Sequence, residues 1–168
     1  MRIPDRYTVV RASLLAGTLS GAPSSAHAVV ADRSVSASTR AAGTLLGRPT
    51  VPRGALAHSV VTVWWTTVLV AVLPRRHTVV AGAAAGLAIG LLDLGIARLR
   101  YPDIATLPTR PQLLDHVAFG LLVGAVAAPA LRATAPSTDQ RATDQRATDR
   151  RATGQRTIGN GSSSTSTR

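Results

Sequence analysis

Four long apolar blocks constrain this chain more than any other feature of its sequence. They cover about residues 12–30, 54–73, 78–97 and 113–131. A helix of roughly 20 residues, rising about 1.5 Å per residue, is about as long as the hydrocarbon core of a bilayer is thick. The blocks therefore predict an all-α fold. They indicate an integral membrane helical bundle with four transmembrane helices, contained in residues 1–132.

Block one is weaker than the other three. It contains several Ser residues, Pro23 and His27, whereas block two carries no formal charge and block three carries only Asp93. A second interpretation is a cleaved secretory signal, because Arg residues precede the apolar centre LLAGTL and Ala26-His27-Ala28 has the A-x-A form of a cleavage site. The short, interrupted apolar centre favours a retained helix. Cleavage would leave three spans.

The connecting segments predict hairpins. The turn over residues 74–77 is short enough only for antiparallel neighbours, and Pro102, Pro108 and Pro111 exclude a continuous helix over residues 98–112. The run RAAGTLLGR, residues 40–48, indicates a short interfacial helix. Residues 133–168 repeat TDQRA-like units before a Gly/Ser-rich end, which predicts a disordered, low-complexity tail.

Charge gives an orientation. The formal net charge is +11, and every basic residue is Arg. These Arg residues lie between the apolar blocks, where they are typical of topology signals and of contacts with anionic lipid, so we expect no nucleic-acid partner. With four spans, the face holding the N-terminus, the 74–77 turn and the start of the tail carries more Arg than the opposite face. Both termini are therefore predicted to be cytoplasmic, in a multi-pass protein of the cytoplasmic membrane.

Small residues recur at every fourth position on three of the blocks. This spacing lets two helix backbones approach closely inside a membrane, where no hydrophobic force drives helices together. The predicted packing residues are Gly17, Gly21, Gly82, Gly86, Gly90, Gly120 and Gly124. Block two lacks the pattern, and its Trp64 and Trp65 are interpreted as packing residues.

A set of ionisable residues inside the spans is the candidate functional site. Alternating helix directions would place all of them about one helical turn, roughly 5 Å, below the same membrane face. They are His27, His58, Asp93, Asp115 and His116. Three interpretations remain open: hydrogen bonds between helices near the interface, a proton or ion path, and a metal site.

The sequence offers no catalytic motif. It lacks Cys, which excludes thiolate catalysis and Cys-based metal sites, and the His and Asp spacing matches no recognised ligand motif. We therefore predict no enzyme activity, no catalytic residue, no bound metal and no cofactor. The predicted role is a structural or interaction component of the membrane, whose partners are the lipid bilayer and a second copy or another membrane protein. The alternatives are a small transporter or channel component and, less favoured, a metal-dependent membrane enzyme.

Several runs resemble a group of small multi-span membrane proteins of actinobacteria. They are GTLSGAPSSAHA (17–28), RAAGTLLG (40–47), LPRR (73–76), AAGLAIGLLDLG (84–95) and LPTRPQLLDHVAFG (107–120). The resemblance covers most of residues 10–130 and excludes the tail. It implies that block one belongs to the mature protein. It implies no activity, because the group has none assigned.

Overall fold

The computed structural model describes residues 5–133 and the single residue Gln145. Within that part of the chain the structure is helical and contains no strand. The helices are α1 (Arg6–Leu19), α2 (Ala22–Val30), α3 (Ala37–Ala42), α4 (Val51–Val72), α5 (Thr78–Arg100), α6 (Pro102–Ala105) and α7 (Thr109–Ala133), with a 3₁₀ turn at Gly43–Leu46 between α3 and α4. The all-α prediction is thus confirmed for the described residues.

Helices α4, α5 and α7 are long and apolar enough to cross a membrane. They contain 22, 23 and 25 residues, with mean hydropathies of 1.7, 2.0 and 1.7. Only 33%, 28% and 33% of their apolar segments are buried inside the molecule, so most of this apolar surface faces outward, as lipid contact requires. Blocks two, three and four therefore correspond to three helices that fit a membrane protein, each longer than its block.

Block one does not form the single helix that the sequence predicts. Residues 12–30 are divided between α1 and α2, and Ser20 and Gly21 separate the two helices. The cause is Pro23, which has no N–H to donate to the carbonyl four residues earlier and whose ring crowds that carbonyl. Neither helix alone has the length of a span, since α1 has 14 residues and α2 has nine.

The N-terminus of α1 is fixed by Asp5. Its carboxylate accepts hydrogen bonds from the backbone N–H and the hydroxyl of Thr8, at 2.9 and 3.0 Å. The backbone hydrogen bond from Thr8 is the main cause that lowers the pKa of the Asp5 carboxyl below its usual value. This charged cap lies outside the three apolar helices.

Helix α7 lies at the centre of the bundle and packs against α1, α2, α4 and α5. Its most deeply buried residues, Val123 and Ala127, are fully inaccessible, as is Ala16 of α1. The core is completed by Leu69 and Val70 of α4 and further apolar residues of α5 and α7. Helices α5 and α7 form the most extensive pair, running antiparallel.

The connections agree in part with the sequence predictions. Residues 98–112 are not one helix: α5 continues to Arg100, α6 is a single turn, and α7 starts at Thr109. The predicted short helix over residues 40–48 is present as the end of α3 and the following 3₁₀ turn. The predicted tail begins at residue 133, which is the last residue of α7, and the rest of that prediction, apart from the single residue Gln145, lies outside the described residues.

Candidate functional site

The polar residues predicted from the sequence lie at one end of the bundle. His58 is near the start of α4, Asp93 near the end of α5, and Asp115 and His116 near the start of α7. Each is about two helical turns, roughly 10 Å, from its helix end. The depth exceeds the one turn expected from the sequence because all three helices extend beyond their apolar blocks.

Asp115 joins α7 to α2. Its Oδ1 accepts the backbone N–H of Ser24 at 2.9 Å. Ser24 lies in the first turn of α2, where N–H groups have no partner within their own helix. Gly21 occupies the capping position of α2 and has no side chain to accept them. The carboxylate of Asp115, a residue of α7, therefore caps the N-terminus of α2.

His58 joins α4 to α1. Its Nε2 lies 3.1 Å from the carbonyl oxygen of Gly17, and it donates the hydrogen because a carbonyl can only accept. Gly17 is in the last turn of α1, where carbonyls lack helical partners. His58 and Asp115 thus satisfy backbone groups on the two sides of the α1–α2 break.

Asp93 joins α5 to α4. Its Oδ2 accepts the indole N–H of Trp65 at 3.0 Å, and both side chains are partly buried. A carboxylate inside an apolar helix is costly unless hydrogen-bonded, and an indole N–H likewise needs an acceptor. The hydrogen bond between Trp65 and Asp93 therefore gives each partly buried polar group a partner across the α4–α5 hairpin.

His116 of α7 follows Asp115 in the chain and faces α5 at Gly90. Its Nδ1 is 2.9 Å from the carbonyl oxygen of Gln112, one turn earlier on α7, and donates to it. It is close enough to interact electrostatically with both Asp93 and Asp115. Its position depends on Gly90 of α5, because a Cβ there would lie 2.8 Å from the Cβ of His116.

His27 stands apart from the other four residues. It is exposed on α2, and its side chain makes no hydrogen bond with any part of the chain that the structure describes. The structure brings together His58, Asp93, Asp115 and His116, which we call the polar cluster. Across residues 5–133, no group of three His, Asp or Glu side chains is arranged to hold a metal ion.

The predicted packing glycines fall into two groups. Gly82 and Gly86 of α5 face Gly120 and Gly124 of α7 so closely that any Cβ would strike backbone atoms of the partner helix, such as the carbonyl oxygen of His116 for Gly86. The α1 glycines differ. A Cβ on Gly17 would meet the Thr62 methyl at 3.1 Å, whereas one on Gly21 would have no neighbour within 4 Å.

Two tight contacts between the α3 segment and the start of α4 have no counterpart in the sequence predictions. A Cβ on Gly54 of α4 would collide with the carbonyl of Thr39 in α3, and one on Gly43 would lie 2.6 Å from the carbonyl oxygen of Thr50. These glycines let the α3 segment lie directly on the start of α4.

The sequence predictions did not include Trp65 and Ser24 among the residues of the site. An indole N–H within an apolar span was the signal that could have identified Trp65.

Comparisons of the chain with protein-family models, with curated proteins and with solved structures found no match. The resemblance to small actinobacterial membrane proteins therefore stays a prediction.

Proposed function

We propose that this protein is a structural or interaction component of the cytoplasmic membrane, in which the polar cluster fastens helices to one another. One observation carries the proposal: Asp93, Asp115 and His58 each bond a group on a different helix. Interhelical hydrogen bonds of this kind hold membrane bundles together where apolar contact alone gives little specificity.

We further propose that α1 and α2 together form a fourth, broken crossing. Residues 6–30 would extend roughly 37 Å as helix, enough for a bilayer. Irregular backbone is tolerated at membrane depth only where other groups satisfy it. His58 and Asp115 do so at the break, through Gly17 and Ser24. Four crossings place both termini on the cytoplasmic side, as the Arg distribution favours.

The outward faces of the helices supply the surface for partners. Leu91, Leu99 and Trp64, for example, are 58%, 86% and 64% exposed. Apolar surface of this extent fits contact with lipid, and with a second copy of the chain or another membrane protein embedded beside it.

Removal of the Asp115 carboxylate tests the fastening role. Asp115→Ala should lower the free energy of unfolding by about 1 kcal/mol, because α2 loses its cap and the Ser24 N–H loses its partner. Thermal unfolding of the purified protein in detergent measures it. Asp103→Ala is the matched control, since this exposed carboxylate makes no hydrogen bond with the described part of the chain. Equal stability of the two variants would contradict the fastening role.

Transport is the second candidate. It is favoured by two carboxylates and His116 lying close together beside a helix break, an arrangement that also suits a proton or ion path. Proteoliposomes separate the two functions. If the role is structural, the flux of protons and monovalent cations into proteoliposomes should be no higher than into empty liposomes. A flux that is present in the natural protein and abolished by Asp93→Asn would replace the structural role with transport.

A further inference from the structure

The opposite end of the bundle from the polar cluster contains a cavity rich in arginine. The α4–α5 turn and the end of α7 meet there, around a cavity of about 360 Å³. Arg75, Arg76 and His77 of the turn line it together with Arg132 of α7. We call this the arginine cavity. No acidic side chain lines it within the described residues.

The arginines of the cavity lack partners for their charge. The Nε of Arg75 is buried and has no hydrogen-bond partner among the residues described. Arg75, Arg76 and Arg132 form no ion pair within that same part of the chain. A buried donor without an acceptor is costly, so an anion that accepts from Arg75 would remove an existing penalty as well as neutralise charge.

The turn that carries Arg75 and Arg76 is held in place. The hydroxyl of Thr78 donates to the carbonyl oxygens of Pro74 and Arg75, at 2.9 and 3.3 Å. His77 adopts a left-handed conformation with φ of 56° and leaves the first amides of α5 without a side-chain cap. These amides add partial positive charge next to the arginines, although the guanidinium groups carry most of it.

Apolar surface lies directly beside the charged groups. Val80 lines the cavity and is 69% exposed, and Val72 at the end of α4 is 59% exposed. An amphipathic ligand fits this combination, with its anionic part at the arginines and its acyl chains along the valines. We propose that the arginine cavity binds the phosphate of an anionic phospholipid headgroup, at the face where three helices end. The proposal rests on the protein being embedded in a membrane, and it is independent of the fastening role.

Native mass spectrometry of the full chain in detergent, titrated with phosphatidylglycerol, tests the site. Arg75→Gln combined with Arg76→Gln should weaken binding roughly 30-fold, because each arginine near an anionic surface contributes about fivefold. Arg132→Gln leaves the turn unchanged and should weaken binding about fivefold. The matched control is Arg100→Gln combined with Arg110→Gln, two exposed arginines near the other ends of α5 and α7. This control should bind as the natural protein does.

Three results would overturn the proposal. Phosphatidylcholine could bind the natural protein as tightly as phosphatidylglycerol, which would remove the requirement for anionic charge. Inorganic phosphate could displace phosphatidylglycerol at equal concentration, which would assign the cavity to a free ion. The control pair could lose as much binding as the turn pair, which would reduce the effect to total charge. Each is distinguishable from failure of the fastening role, since Asp115 lies near the other end of α7.

Discussion

Trp64 and Trp65 are adjacent residues with different surroundings. Trp65 is partly buried and donates to Asp93, whereas Trp64 is 64% exposed and makes no side-chain hydrogen bond within residues 5–133. Trp65→Phe should lower the free energy of unfolding by about 1 kcal/mol, because the Asp93 carboxylate loses its donor while the aromatic packing is largely kept. Trp64→Phe should have little effect. Thermal unfolding in detergent measures both, and the prediction is wrong if the two variants unfold at the same temperature.

The ionisable residues of the site could be found from the sequence because charge inside an apolar block is conspicuous. Their partners could not be found in the same way. Asp115 bonds a backbone N–H of Ser24 and His58 a backbone carbonyl of Gly17, and backbone groups carry no sequence signal. His27 looked equivalent to His58 in sequence, yet it faces away on α2. The direction in which His27 faces is set by the break between α1 and α2, and hydropathy alone did not locate that break.

Helices α5 and α7 depend on glycine for their close approach. Gly86→Ala should destabilise the bundle by about 1–3 kcal/mol, because the added methyl group meets the His116 carbonyl and forces the helices apart. Gly95→Ala is the control on the same helix, where a Cβ has no neighbour within 4 Å. Alanine there should be neutral or stabilising by up to about 1 kcal/mol, since it favours helix over glycine. Chemical denaturation in detergent followed by circular dichroism compares the variants. Equal loss of stability in both variants would show that the close approach of α5 to α7 at Gly86 does not account for the effect.

Length and apolarity predicted α4, α5 and α7 well, because a bilayer sets the same length requirement for every span. They failed at block one for a local reason. Pro23 breaks the helix because it has no N–H to donate, and an average of hydropathy over residues 12–30 does not detect this. The proline itself could be read from the sequence. The contact of α3 with Gly54 was equally hidden, since it joins backbone atoms of two separate segments.

The number of crossings decides on which side each loop of the whole molecule lies. The chain contains no Cys, so single cysteines can report accessibility without background. With four crossings, a membrane-impermeant thiol reagent applied to intact cells should label Ser34→Cys and leave Arg6→Cys and Arg76→Cys unlabelled until the cells are lysed. If α1 and α2 do not cross, Arg6→Cys should be labelled together with Ser34→Cys. Labelling of both Arg6→Cys and Arg76→Cys, with Ser34→Cys unlabelled, would reverse the proposed orientation.

The break between α1 and α2 has a consequence for the order in which the molecule is assembled. The ribosome synthesises these two helices before α4 and α7, yet the groups that satisfy their exposed ends, His58 and Asp115, belong to those later helices. Until those helices have left the translocon, the broken segment would hold unpaired backbone groups in hydrocarbon, at a cost of several kcal/mol for each group. If α1 and α2 form the proposed fourth crossing, this earlier segment is therefore expected to enter the bilayer only after α7 has been made, and to lie at the membrane surface until then.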